Sequence, residues 1–146
     1  MFIVEKTIVI NHPQQEVFDF AANPANAHKW QSVIKSKIWA SEEPHGVGSI
    51  QHVISRFMGL NLKVTNEYTI WAPPNQNSFK TINSPLPIEE GMRFEPQGKS
   101  TKVTWRMQLE AGGVFKLVEG LLKKQTEKTF ASDLAALKLL LEADSA

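Results

Sequence analysis

Glu90 is the residue of this chain best placed to do chemistry. It shares the two-residue period of a strand with Ile88, Met92 and Phe94. A carboxylate on an apolar face must be paired, hydrated at an opening, or pushed up in pKa by loss of solvent. Such a group works as an acid or base, or orients the polar end of a ligand. The alternative is a bulge at Gly91 that returns Glu90 to solvent. Asn66 and Tyr68 fall on one face with Leu62, Val64 and Ile70. Once buried, both need partners, which a ligand, water or a core neighbour can supply. His52 sits where the alternation is ambiguous: Ile50, His52 and Ile54 share one face, and Gln51, Val53 and Phe57 the other. Turned inward, His52 is a general base titrating near neutral pH; turned outward, it is a solvated or structurally paired imidazole. Glu90, His52 and Tyr68 are the candidates for catalysis. Arg56 and Arg93 read as solvated sheet charges, with a clamp on a ligand carboxylate as the sharper alternative.

Stronger signatures are missing. The sequence holds no G-x-x-x-x-G-K-[ST], H-E-x-x-H or G-x-S-x-G. Gly46-Val47-Gly48 lacks the third glycine of a dinucleotide loop and reads as a turn. The 4 His are scattered and the Cys count is 0, so no metal centre, disulfide or thiol nucleophile is expected. No segment signals a cofactor. Lys+Arg at 16 against Asp+Glu at 15 leave a net charge of +1, without the basic surplus of a nucleic-acid binder. No run approaches the roughly 20 apolar residues of a transmembrane helix, and Glu5-Lys6 interrupts the start where a secretory signal would be apolar. The expected compartment is the cytoplasm. The oligomeric state is not legible.

These side chains need a scaffold, and changes of period along the chain supply one. The 146 residues suit a single domain spanning 1–146. Phe2–Ile10, rich in β-branched residues, reads as a strand. Pro13 suits the first position of a short helix, with Asn11 or His12 as its cap; Val17, Phe18 and Ala21 mark its buried face. A second short helix is expected over Pro24–Trp30. From Ile34 the period is two. Strands are expected at Ile34–Glu42, Ser49–Met58, Leu60–Trp71, Phe79–Ser84, Ile88–Glu95 and Lys102–Glu110, joined by short turns and so antiparallel. The last alternates most cleanly, with Val103, Trp105, Met107 and Leu109 on one face. After Gly112-Gly113 the period returns to helical. Phe115, Val118, Leu122, Phe130, Leu134, Leu137 and Leu141 form one apolar stripe. A helix from Gly113 to Glu142 would be about 45 Å long, enough to cross a domain with a radius of gyration of roughly 15 Å. Only the apolar face of the sheet can cover such a stripe. The expected architecture is α+β: a curved seven-stranded antiparallel sheet around a long C-terminal helix, with two short helices between strands 1 and 2. A cavity follows where sheet and helix fail to fill the space between them.

Short matches to a known pattern run through the whole chain in a specific order. They are Ile10-Asn11-His12-Pro13 with Glu16-Val17-Phe18, Asn23-Pro24 leading to Trp30, and Gly46-Val47-Gly48. Glu67-Tyr68-Thr69 before Pro73-Pro74, Phe94-Glu95-Pro96 with Thr101-Lys102-Val103-Thr104, and Leu134-Ala135-Ala136-Leu137-Lys138 follow. Together they resemble the helix-grip fold of the START and birch-pollen-allergen (SRPBCC) superfamily, and most of all its polyketide cyclase/dehydrase-like branch. The matched residues are caps, turns and sheet positions rather than catalytic motifs. The resemblance implies an internal cavity for hydrophobic or amphipathic molecules, in a superfamily of binders, lipid carriers and cyclases.

Three functions are therefore expected in turn. The first is binding, with transport or sequestration as its purpose, of a small hydrophobic or amphipathic ligand between sheet and helix. Met92, Phe94, Trp105, Met107, Tyr68 and Phe115 would form the wall, Trp30 would close one end, and Asn66 and Glu90 would make the polar contacts. Met58 would add adaptable lining. The second is an aromatase/cyclase-like enzyme acting on a polyketide-like substrate. The third is a protein-interaction module without a ligand. Lys123, Lys124 and Lys128 make a small basic patch, read as a solvated face with an anionic membrane as the alternative.

Overall fold

The computed structural model describes residues 1–57, 59–84 and 86–143. Met58, an expected lining residue, and Pro85 lie outside them. β1 (Phe2–Ile10) is followed by α1 (Gln14–Ala22), a 3-10 turn at Pro24–Asn26 and α2 (Ala27–Trp30). Six strands come next: β2 (Ile34–Trp39), β3 (Ile50–Phe57), β4 (Leu60–Ala72), β5 (Gln76–Ile82), β6 (Ile88–Gln97) and β7 (Ser100–Leu109). A 3-10 helix (Gly113–Val118) then leads into α3 (Glu119–Ala143). The strands form one antiparallel sheet in the order β1-β7-β6-β5-β4-β3-β2. The α1–α2 insert carries the chain from one edge of that sheet to the other.

Alternation in β7 decides how the layers meet. Val103, Trp105, Met107 and Leu109 are all buried, and α3 lays Leu122, Phe130, Leu134, Leu137 and Leu141 into the same core. Trp105 stacks on Phe130 with ring centroids 3.6 Å apart. Phe18 of α1 meets Phe94 edge-on at 5.2 Å. Each such side chain contributes about 1.5–3 kcal/mol by leaving water, so the sheet, α1 and α3 are held chiefly by this shared core. One end is then closed by hydrogen bonds. Gln14 Nε2 donates to the Phe94 carbonyl at 2.6 Å, Thr101 Oγ1 to the His12 carbonyl at 2.8 Å, and the Asn11 N–H to Glu142 at 2.9 Å.

Several local expectations are corrected. Pro13 occupies the cap position of α1 without a side-chain cap bond, and the helix starts at Gln14. β5 starts at Gln76 rather than Phe79, because Gln76 and Asn77 pair with Arg93 and Met92. The register shifts between Tyr68 and Ile70, which turns Ile70 outward. Trp71 packs in its place, 5.0 Å from Tyr68 and 5.7 Å from Phe18 between ring centroids. The long helix starts at Glu119, not Gly113, and the 3-10 segment before it buries none of its residues. Phe115 and Val118 therefore leave the stripe that covers the sheet; the helix reaches the core first at Leu122.

Candidate functional site

The concave face carries its polar groups in one cross-strand row. Met107, Glu90, Phe79 and Tyr68 stand opposite one another on β7, β6, β5 and β4. Opposed residues of an antiparallel pair point to the same side, about 5 Å apart. No register shift interrupts β6, so the bulge that would free Glu90 does not form. Gly91 contributes to this arrangement. A Cβ there would lie 2.7 Å from the Asn77 carbonyl oxygen, so β5 and β6 approach this closely only over a glycine.

Lys37, which sequence reasoning missed, reaches over this row from β2. The β2–β3 ladder shifts register between Ile34 and Ser36, setting Lys37 opposite Val53 and Trp39 opposite Gln51. Val53 and Gln51 are buried, so Lys37 and Trp39 turn inward while Ile38 is 57% exposed. Lys37 Nζ lies 5.0 Å from the centroid of the Phe79 ring, a cation–π distance. Glu90 and Tyr68 flank Phe79 within the row, so three ionisable groups converge on one aromatic floor.

Loss of solvent dominates the electrostatics of all three. It pushes the Glu90 carboxyl above its usual range; the charge of Lys37 and the indole N–H of Trp105 oppose this, and Asp133 adds to it. It pulls Lys37 below its usual range, against the attraction of Glu90. Burial, and then the charge of Glu90, push the Tyr68 phenol well above its usual range against a hydrogen bond to Gln51. That bond runs from Tyr68 Oη to Gln51 Oε1 at 3.4 Å. Lys37 and Glu90 feel each other's charge with no direct ion pair between them. The arrangement offers a carboxyl that exchanges its proton closer to neutrality than a surface acid, an ammonium and a phenol donor.

The enclosed space is small. Its volume is about 20 Å³, bounded on the sheet by Lys37, Tyr68, Phe79, Glu90, Met92 and Trp105 and on the insert by Ala21, Ala22 and Gln31. That is room for one or two water molecules. Among the described residues, four buried polar atoms lack a hydrogen-bond partner: Gln51 Nε2, Asn66 Oδ1, Trp30 Nε1 and Asp133 Oδ2. The other Asp133 oxygen accepts from the Ser32 N–H at 3.2 Å, and burial pushes this carboxyl up as well. A larger concavity of about 140 Å³ lies around Gly91 on the convex face. Its arginines are already engaged, Arg93 with Glu95 at 3.9 Å and Arg106 with Glu5 at 3.8 Å. It is an open groove that shares Asn77, Glu90, Gly91 and Met92 with the smaller cavity.

Of the candidate residues, Tyr68, Glu90, Met92 and Trp105 border the cavity. Trp30 packs behind Trp105 at 5.2 Å between ring centroids. Asn66 is buried opposite Gln51. Phe94 and Met107 are sealed in the core. Phe115 is 36% exposed on the 3-10 helix and is not brought to the cavity. His52 is exposed on the outer face, its Nδ1 3.2 Å from Thr65 Oγ1, because pairing turns Gln51 and Val53 inward. It does not reach the other candidates. Arg56 is likewise exposed. Among the described residues no group of three or more potential metal ligands forms, and no helix is long and apolar enough to cross a membrane.

A family model described as polyketide cyclase/dehydrase and lipid transport matches residues 1–142. The chain belongs to this family. No curated protein matches the sequence. Solved structures do match in shape. TTHA0849 from Thermus thermophilus is 19% identical with a TM-score of 0.84, over 99% of this chain and 100% of that one. The Zhui aromatase/cyclase from Streptomyces sp. R1128 is 13% identical with a TM-score of 0.83, over 99% and 96%. A START superfamily protein from Mycobacterium smegmatis is 16% identical with a TM-score of 0.80, over 97% of each chain. At these identities the likeness shows the fold, which is the START-like helix grip. The family and fold suggest ligand binding or aromatase/cyclase activity; fold alone does not choose between them.

Proposed function

We propose that the protein binds a small amphipathic molecule between the sheet and the α1–α2 insert, its polar end over Phe79 among Lys37, Glu90 and Tyr68. The observation that carries this reading is the pair of half-buried opposite charges turned toward one small, partly open cavity with no ion pair between them. Buried charges are costly unless their hydrogen-bonding capacity is satisfied. A hydroxyl or carbonyl lodged between them would accept from Lys37 or Tyr68, and a hydroxyl would also donate to Glu90. Met92 and Trp105 supply apolar wall, backed by Trp30, Phe94 and Met107, and Asn66 offers a further polar contact. Ligand pockets usually measure about 300–1,000 Å³, far above the 20 Å³ enclosed here. Binding therefore requires the α1–α2 insert, which contributes Ala21, Ala22 and Gln31, to lift from the sheet. Titrating hydroxylated and keto-bearing hydrophobic compounds against Trp fluorescence tests this. Saturable one-to-one binding that weakens at least about tenfold in Lys37→Met, the scale of one charged hydrogen bond, is expected. Unchanged affinity in that variant overturns the site.

A second reading has its own support. Glu90, raised in pKa beside a phenol and an ammonium, is suited to take a proton next to a carbonyl while Tyr68 or Lys37 donates to the carbonyl oxygen. That is the chemistry of aldol cyclisation and dehydration on a polyketide-like substrate. Glu90→Gln separates the two readings. A binder turns over no substrate with or without the substitution, whereas an enzyme loses the turnover of the wild type beyond any change in affinity.

A further inference from the structure

We propose that the 3-10 helix Gly113–Val118 and the first turns of α3 form a docking surface for an anionic lipid bilayer. All six residues of the 3-10 helix are exposed, although four of them are Val114, Phe115, Leu117 and Val118. Val114 is 74% exposed, Leu117 88%, and Leu121, one turn further on, 61%. A contiguous apolar surface of this kind marks an interaction site.

Charge selects the partner. Lys116, Lys123, Lys124 and Lys128 are exposed around these side chains, and none is in an ion pair among the described residues. Leu121, Lys124 and Lys128 recur at three and four positions, so they share one outward face of α3. The acids nearby are fewer or occupied. Glu119 pairs with the Met1 ammonium at 3.1 Å, Glu127 is half-buried, and Glu110 is exposed on the approach to the segment. An apolar tip with a lysine collar suits a bilayer surface, where Val and Leu side chains enter the acyl boundary and lysines meet anionic headgroups. Leu60, 65% exposed on the β3–β4 hairpin, emerges at the same end of the sheet, since β3 and β7 run in the same direction. The docking surface stands apart from the cavity, and its test does not depend on any ligand there.

Flotation with phosphatidylcholine vesicles, with and without about 30 mol% phosphatidylglycerol, tests the proposal alongside size-exclusion chromatography. The expected result is binding to the anionic vesicles, at least about tenfold weaker in neutral vesicles or in roughly 0.5 M salt. The double variants Val114→Ser/Leu117→Ser and Lys123→Glu/Lys124→Glu are each expected to weaken it by at least about tenfold. Both replace exposed side chains, so unfolding midpoints stay unchanged. Failure to float with anionic vesicles overturns the proposal, as does equal binding to neutral ones. Self-association that the Leu117 variant abolishes overturns it too, because the patch would then belong to a second copy of this chain.

Discussion

Removing Lys37 and Glu90 together is expected to do less damage than removing Lys37 alone. The perturbation is the set Lys37→Met, Glu90→Gln and the double variant. The two charges face one another over the Phe79 ring, with Lys37 Nζ 5.0 Å above its centroid and Glu90 in the neighbouring position of the row. A separation of about 6 Å at an effective dielectric of about 20 gives an attraction of roughly 2.5 kcal/mol. Lys37→Met removes that attraction and leaves a half-buried, desolvated carboxyl whose pKa, already above its ordinary value of 4.5, rises further. A group with a raised folded-state pKa contributes stability that is fully present below its unfolded pKa and lost as pH rises through the folded one. The penalty of Lys37→Met should therefore be near zero at about pH 4 and grow to roughly 2 kcal/mol toward pH 8. The double variant buries neither charge and should lie within about 1 kcal/mol of wild type, or above it. Urea unfolding followed by Trp fluorescence across this pH range measures all four proteins, with equal m-values as the check on two-state behaviour. A coupling below about 0.5 kcal/mol at pH 8, within ordinary additivity, would show that the two groups do not share the cavity and would refute the reasoning.

Other perturbations follow from the same geometry. Phe94→Ala empties a site that is 1% exposed against Phe18, and should cost about 3–5 kcal/mol in urea unfolding. Gly91→Ala puts a methyl group against the Asn77 carbonyl and should cost about 1–3 kcal/mol, with faster amide exchange in β5 and β6. Glu142 is held below the usual carboxylate range by the Asn11 N–H and then Lys138. Its contribution is present above its ordinary value of 4.5 and fades as pH falls through the lower folded-state value. Glu142→Gln should therefore differ from wild type at neutral pH, and the difference should shrink in acid, as read from urea midpoints.

The architecture was legible because the chain keeps period two from β2 to β7 and then shifts to the helical period that places Phe130, Leu134, Leu137 and Leu141 on one face. β7 was the clearest strand because one of its faces is fully covered. Single-strand patterns failed where pairing, not composition, sets the phase. In β2, Ile34 and Ile38 suggest the inward face, but the register shift before Ser36 sends Lys37 and Trp39 inward instead. The usable signal was Trp39, a large aromatic in phase with Lys37. His52 was ambiguous for the same reason, since Ile50 and Ile54 are as apolar as Val53. Glu90 was recognisable because it interrupts an otherwise apolar set, whereas the groups it meets come from other strands and carry no mark in the local sequence. Phe115 and Val118 fit the helical stripe by spacing, but they belong to a tighter turn that precedes the helix.

The register shift that brings Lys37 inward also bears on how this sheet meets other chains. An open sheet has two lateral edges, each a template for an intruding strand. At the β2 edge the strand is only 6 residues long, is irregular at its start, and carries Lys35 and Lys37, all features that discourage an incoming ladder. At the β1 edge α3 lies alongside, and Lys138 Nζ reaches the Val9 carbonyl at 2.7 Å, occupying an acceptor that a foreign strand would use. The device that charges the interior thus doubles, on one flank, as protection against edge-to-edge aggregation, and a helix lysine supplies it on the other.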